Sequence, residues 1–120
     1  MLLARQAQYA SAMIQSSLPA VLREFIAERE WDQFHSPANL AKSIVIEAGE
    51  LLECFQWSDD APIDKVSGEL ADVLTYCILL ADKLGLDVDQ IVIDKLEVTK
   101  GKYPVDKARG RSLKYDELPD

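Results

Sequence analysis

Two pairs of acidic residues stand at the same spacing in two apolar stretches of the chain. Glu47 and Glu50 are three residues apart, and Glu69 and Asp72 repeat this spacing. In a helix, residues three positions apart lie on adjacent turns of one face, with Cβ atoms about 5–6 Å apart. If both stretches are helical, each of them therefore presents two carboxylates in the same direction.

These acids lack the basic neighbours that usually neutralise helical glutamates. The positions four residues after them are occupied by Leu51, Cys54, Val73 and Tyr76. Two carboxylates ~6 Å apart at an effective dielectric of ~20 repel each other by roughly 3 kcal/mol. A divalent cation would remove that repulsion, and oxygen ligands without His or Cys favour Mg²⁺ or Mn²⁺ over zinc. The alternative is that the acids lie on a narrow solvent-exposed stripe, as most helical glutamates do.

The elements that must position these acids are predicted to be helices. Ser36 followed by Pro37 is a strong helix-start signal, Pro62 can open the next helix, and Gly85 can end it. No useful length of the sequence shows the β-branched alternation of strands. The fold class is therefore predicted to be all-α, a helical bundle. We expect helices over residues 2 to about 15, 17 to about 34, 36 to about 56, 62 to about 84, and 87 to about 100.

The two helices that carry the acids are apolar around more than one stripe. Helices of this kind are buried centrally or lie at a subunit interface. A chain of 120 residues is large enough for one core but has limited means to cover both faces of two such helices. We therefore predict an oligomer, a dimer at minimum.

The distribution of charge excludes one class of partner and suggests another. The net charge of −8 argues against a nucleic-acid-binding surface, which normally carries a basic patch. Residues 95–114 nevertheless contain seven Lys or Arg and only two acidic residues. An acidic body with one basic segment could bring a cation and a polyanion together. A solvated basic tail explains the same charges equally well.

Nothing in the sequence indicates a membrane or an oxidising environment. The longest strongly apolar run, residues 73–81, falls far short of the ~20 residues that a membrane span needs. The first residues contain no continuous apolar stretch of the kind found in secretory signals. Cys54 and Cys77 show neither CxxC nor Cys/His spacing, which indicates free thiols. We expect a cytoplasmic protein without a membrane partner.

The acidic pattern and its flanking sequences together resemble a known family. Glu47-x2-Glu50-x18-Glu69-x2-Asp72 resembles the ExxE…ExxD signature of MazG-type, all-α nucleoside triphosphate pyrophosphohydrolases. The segments EREWDQFHSPANL, EAGELLECFQW, ELADVLTY and the KYP…R…KYDELP tail are similar to the dCTP pyrophosphatase subgroup over about residues 20 to 119. The resemblance implies an N-terminal helical extension over 1–16 and a MazG-like domain over 17–120.

The resemblance also implies an activity and an assembly. Magnesium held by the four acids would support hydrolysis of a (deoxy)nucleoside triphosphate between its α and β phosphates, giving the monophosphate and pyrophosphate. The substrate would be dCTP or a modified pyrimidine triphosphate, removed as nucleotide-pool housecleaning. The assembly would be a homodimer or homotetramer, and Glu50 is our choice for the general base.

Further site residues follow from the resemblance position by position. Aromatic faces stack on bases, and Lys and Arg neutralise phosphate oxygens. The chain departs from the subgroup at two positions: it has Leu22 where the subgroup has a second histidine, and Thr99 where the subgroup has an asparagine. The preferred base and sugar therefore remain open. The residues that match the base side are Trp31, Trp57 and Tyr76, with His35 and Asn39 near them, and those that match the phosphate side are Lys95, Lys102, Tyr103 and Arg109.

Plainer interpretations stand beside these expectations. Trp31 taken alone is more often a core residue, His35 is equally well a local hydrogen-bonding residue, and Lys102 can simply complement a helix dipole. The same fold could also be a catalytically silent nucleotide- and metal-binding or interaction module. A ferritin-like di-iron bundle would need Glu-x-x-His pairs, and the only histidine does not follow a glutamate at that spacing.

Overall fold

A computed structural model describes residues 2–4 and 17–120 of the chain. The chain divides into two compact units, Met1–Gly85 and Leu86–Asp120. Within the described residues all regular structure is helical and no strand occurs, which confirms the predicted fold class. The helix predicted over residues 2 to about 15, and the extension over 1–16 to which it belongs, lie outside the described residues except for 2–4. No described helix combines the length and apolar composition that crossing a membrane requires.

Residues 17–85 of the first unit form three α-helices whose starts follow the predicted signals. The Ser36 hydroxyl accepts a hydrogen bond from the Asn39 amide at 3.2 Å, so serine caps the second helix while Pro37 supplies its first residue. The third helix starts directly after Pro62 and ends before Gly85, which has a φ of 69°. The helices are α1 (Leu18–Glu28), α2 (Pro37–Glu53) and α3 (Ile63–Lys83).

The first of these helices ends earlier than the sequence indicates. We expected it to reach about Phe34, but it stops at Glu28 and is followed by a 3₁₀ turn over Asp32–Phe34. The amide of Glu30 donates to the Ala27 carbonyl and that of Trp31 donates to the Ile26 carbonyl, the paired bonds of a Schellman motif. Glu30 occupies the left-handed position of this motif, with a φ of 54°. A helix end of this kind normally has glycine there, so the usual sequence signal is missing.

The core of this unit lies where α1 and α2 meet α3. Ile26, Leu40 and Leu79 form its buried centre, and Leu40 is only 1% exposed. Leu22, Phe25, Tyr76 and Leu80 pack against this centre from partly buried positions. The helix α2 pairs with α3 over the largest interface of the unit, so their acidic faces are held side by side.

Many apolar side chains of this unit face outward. Val45 is 72% exposed, Leu52 69% and Trp57 89%, although large apolar side chains gain about 1.5–3 kcal/mol each from burial. The sequence predicts helices that are buried centrally or at an interface, and in the single chain only part of that burial is present.

The second unit is built on one longer helix and a C-terminal segment folded against its end. The Asp87 carboxylate caps the helix by accepting from the Gln90 amide at 2.8 Å. The helix was predicted to end at about Lys100 with Gly101 as its terminator, but it continues through Gly101 to Lys102. The elements of the second unit are α4 (Val88–Lys102), α5 (Val105–Ala108) and a 3₁₀ turn over Tyr115–Glu117.

Candidate functional site

Three of the four acids meet between α2 and α3. Glu47, Glu50 and Glu69 each offer a carboxylate oxygen, and these oxygens lie within 4.8 Å of one another. Asp72 lies one turn beyond Glu69 on α3, outside this closest group, but its charge acts on both Glu47 and Glu69. The structure therefore brings the predicted acids together as one electrostatic cluster.

The environment of this cluster disfavours negative charge. Burial is the main cause that raises the pKa of the Glu47 carboxyl, followed by its hydrogen bond to Glu50 and by the charges of Glu50, Asp72 and Glu69. Burial also comes first in raising the pKa of Glu69, followed by the charge of Glu50, a hydrogen bond to it, and the charge of Asp72. One carboxylate oxygen of Glu47 and one of Glu69 are buried without a hydrogen-bond partner among the described residues.

One basic side chain does act on the cluster. Lys65 stands four residues before Glu69, and its charge lowers the pKa of that residue against the stronger effects that raise it. This lysine precedes Glu69 in the sequence, whereas basic partners were expected only at the positions after each acid. The ion pairs found within residues 17–120 do not involve any of the four acids; they are Arg23–Asp82, Arg29–Glu28, Lys83–Asp32 and Lys100–Glu97.

The cluster fits a hard divalent cation. Its donors are all carboxylate oxygens, which suit Mg²⁺ and Mn²⁺. Buried polar atoms are nearly always paired with a partner, and the unpaired oxygens of Glu47 and Glu69 are the groups that a cation would satisfy. Three ligand oxygens within 4.8 Å of one another are close enough to share one ion.

A cavity of about 330 Å³ opens beside the acids, a size at the lower end for small-ligand sites. Its wall brings together Trp31 and Tyr76, two of the three residues predicted to enclose a base, with His35, predicted near the base, and Asp72. The rings of His35 and Tyr76 meet edge to face, with their centroids 6.5 Å apart. Asp72 thus lines the cavity and also acts electrostatically on the acidic cluster.

Other residues of this wall were not predicted from the sequence. Phe25 lines the cavity and contacts Trp31 edge to face, with ring centroids 5.7 Å apart. Thr75 also lines it, and its position three residues after Asp72, on the same helical face, was the signal that could have found it. Leu22, noted as a departure from the subgroup, lies in the wall as well.

Two residues predicted near the base lie elsewhere. The side-chain amide of Asn39 donates to the Phe34 carbonyl at 3.1 Å, and so it holds the loop that carries His35. Trp57 is 89% exposed in the loop after α2 and does not line the cavity. Their contacts with a substrate remain predictions.

The four residues predicted on the phosphate side all belong to the second unit. The Lys102 ammonium lies over the Tyr115 ring, 4.8 Å from its centroid. The Tyr103 hydroxyl accepts a hydrogen bond from the Tyr115 amide at 3.2 Å. Lys95 and Arg109 are exposed on and after the helices of this unit. Their phosphate-binding role also remains a prediction.

Fold and site together define an all-helical protein with a carboxylate cluster suited to a divalent cation and an aromatic-lined cavity beside it. The chain belongs to the MazG-like family, which matches residues 42–118, and the resemblance seen in the sequence is thereby confirmed. This range contains all four acids.

Individual relatives agree with this assignment. The chain is 42% identical over 106 residues to dCTP pyrophosphatase 1 of Rattus norvegicus, and equally so to that of Homo sapiens. Each of these matches covers 80% of this chain and 62% of the relative, so the chain spans less than two thirds of the length of these curated relatives. It also resembles the crystal structure of a pyrophosphatase from Archaeoglobus fulgidus, with a TM-score of 0.67 and 39% identity over 71% of this chain and 87% of that one.

Proposed function

We propose that this protein hydrolyses nucleoside triphosphates to the monophosphate and pyrophosphate, with Mg²⁺ or Mn²⁺ held by Glu47, Glu50, Glu69 and Asp72. The observation that carries the proposal is the double position of Asp72, in the acidic cluster and in the aromatic cavity wall. A nucleotide needs both features, because its base stacks on aromatic rings while its phosphates accompany a cation. The names of the relatives, dCTP pyrophosphatases, support the same reaction.

Each side chain has a distinct task in this proposal. A bound divalent cation would supply charge neutralisation at the phosphates and a lowered pKa for the attacking water. Glu50, whose carboxylate lies within 4.8 Å of those of Glu47 and Glu69, is placed to accept the proton of that water, while Trp31 and Tyr76 hold the base. The bond that breaks joins the α and β phosphates. We place Lys95, Lys102, Tyr103 and Arg109 on the phosphate side, and His35, Asn39 and Trp57 near the base.

We further propose dCTP or a modified pyrimidine deoxynucleotide as substrate, hydrolysed in the cytoplasm as nucleotide-pool housecleaning. The 42% identity to dCTP pyrophosphatases supports this choice. Residues 17–120 would form the catalytic domain, preceded by the extension over 1–16.

The assembly that we propose is a homodimer or homotetramer. Exposed apolar side chains on and after the two acidic helices, among them Val45, Leu52 and Trp57, support it, because large apolar side chains gain free energy when a partner removes them from water. Sedimentation of the purified protein would test it, and a monomer at micromolar concentration would refute it.

The activity is tested with a panel of canonical and modified triphosphates, scored for pyrophosphate and monophosphate with and without Mg²⁺. We expect both products in equal amounts with the metal. The variant Glu50→Gln should lose about 10²–10⁴-fold in kcat with its helical circular dichroism intact, whereas Glu53→Gln, an exposed acid on the same helix, should retain activity. Nucleotide binding without any product from the whole panel would refute hydrolysis and favour the catalytically silent alternative.

A further inference from the structure

Thr75 occupies a chemically restricted position in the cavity wall. It lies on α3 three residues after Asp72, half-buried, and lines the cavity together with Asp72 and Tyr76. Its hydroxyl donates a hydrogen bond to the Ala71 carbonyl of the preceding helical turn, at 2.8 Å. A threonine hydroxyl has one hydrogen and two lone pairs, so its only hydrogen is already used within the helix.

The hydrogen bond to Ala71 limits the interactions that Thr75 can make with a ligand. Toward the cavity it has oxygen lone pairs and a methyl group but no donor. Asp72 beside it is a proposed ligand of the cation, so its oxygens are not counted as acceptors for the base. The part of the cavity wall at Thr75 therefore complements N–H groups, and it leaves a carbonyl oxygen that lies there without a partner. An unsatisfied buried polar group is costly.

The other polar groups of the wall do not share this restriction. Trp31 carries an indole N–H donor, and His35 and Tyr76 can each donate or accept. They can serve the remaining edges of a base. Selection between an amino group and a carbonyl is therefore concentrated at Thr75.

We propose that Thr75 is a specificity-determining residue, which favours bases with an exocyclic amino group over otherwise matched bases with a carbonyl at the same ring position. The inference rests on the proposed function, since it assumes that the cavity receives the base of a triphosphate. In this proposal the Thr75 hydroxyl accepts a hydrogen bond from the amino group of the base, because its own hydrogen is donated to the Ala71 carbonyl.

The test compares matched substrate pairs with purified full-length protein in Mg²⁺. The pairs dCTP and dUTP, and dATP and dITP, exchange an amino group for a carbonyl and, with it, an acceptor for an N–H donor at the adjacent ring nitrogen; this second difference is the same for the native protein and its variants. For the preferred ring size, the ratio of kcat/KM for the amino base to that for the carbonyl base is measured in the native protein, in Thr75→Val and in Thr75→Ser. Valine keeps the branched shape and removes the acceptor, whereas serine keeps the hydroxyl.

We expect Thr75→Val to lower this ratio by about 3- to 10-fold, the effect of one hydrogen bond, and Thr75→Ser to stay within about twofold of the native ratio. An analogue of the preferred amino substrate, with hydrogen in place of the amino group, completes a double-mutant cycle between the Thr75 hydroxyl and the amino group. The native protein should discriminate against it more strongly than Thr75→Val does. Should the valine variant not fold, the same cycle is run with Thr75→Ala.

The possible failures are distinguishable. A native protein that hydrolyses triphosphates, with a ratio that valine or alanine leaves unchanged, overturns the role of Thr75 and leaves the proposed function standing. An equal fall in the ratio in Thr75→Val and Thr75→Ser also overturns the role of Thr75, because the serine variant keeps the hydroxyl. A native protein that hydrolyses none of the triphosphates overturns the proposed function itself, and the role of Thr75 with it.

Discussion

Glu47 on α2 and Glu69 on α3 approach each other across the interface of their helices, and each has one buried carboxylate oxygen without a hydrogen-bond partner in the described part of the chain. Both side chains also contact Glu50. In the absence of a cation this arrangement opposes folding, because like charges are held together where water reaches them poorly. The same arrangement favours a cation strongly, and the two effects can be separated by experiment.

Replacing Glu47 with glutamine should change stability in opposite directions with and without metal. We expect Glu47→Gln to raise the melting temperature of the metal-free protein by roughly 2–5 °C, since it removes one of the repelling charges. Millimolar Mg²⁺ should then stabilise the native protein markedly and the variant little, because a ligand stabilises the state that binds it. Scanning calorimetry in EDTA and in Mg²⁺ measures both effects.

The matched control for this experiment is Glu53→Gln, which removes an exposed acid from the end of the same helix. Its response to Mg²⁺ should equal that of the native protein. A Glu47 variant that gains as much stability from Mg²⁺ as the native protein does would rule out a cation at this cluster.

The C-terminal segment of the second unit should depend on the Tyr103 hydroxyl. This oxygen accepts the hydrogen bond of the Tyr115 amide at 3.2 Å, and the two rings also meet edge to face. We expect Tyr103→Phe to speed hydrogen exchange at the Tyr115 amide by about 3- to 10-fold, the value of one hydrogen bond. The control variant Tyr115→Phe keeps both the backbone amide at position 115 and the Tyr103 hydroxyl. The exchange rate of that amide should therefore equal the rate in the native protein. Equal exchange in all three proteins would show that this bond does not hold the segment.

The end of α1 should be stabilised by glycine at position 30. Glu30 has a φ of 54°, and a side chain in the left-handed region costs roughly 1–2 kcal/mol. Glycine avoids this cost, but its greater freedom in the unfolded chain offsets part of the gain in stability. We expect Glu30→Gly to raise the free energy of unfolding by roughly 0.5–1 kcal/mol, measured by urea denaturation. Glu30→Ala, which removes the charge but keeps Cβ, should be close to neutral. A loss of stability in the glycine variant would contradict the strain argument.

The sequence was sufficient where the structural cause is local. The starts of α2 and α3 and the end of α3 follow from Ser36, Pro37, Pro62 and Gly85, because capping and proline geometry act within one helical turn. The pairing of the acids on two helical faces follows from their spacing of three residues for the same reason.

The sequence failed where the cause is a contact between side chains. α1 ends at Glu28 although no glycine marks the place. Trp31 packs on the Phe25 ring, with 5.7 Å between centroids, and the Arg29 guanidinium lies 3.8 Å from the centroid of the same ring. A hydrophobic contact of this kind commonly accompanies a Schellman motif, and here it accompanies a glutamate in the left-handed position.

By itself, then, the sequence determined the helical class, the faces that carry the carboxylates and the kind of ion that they suit, because these depend on residue type and on helical repeat. Only the tertiary structure decided which atoms meet. Packing of α2 against α3 brings Glu47 and Glu69 together, and the early end of α1 places Trp31 in a cavity with Asp72 and Thr75. Distances between helices depend on how their side chains interdigitate, a property that no single stretch of sequence contains.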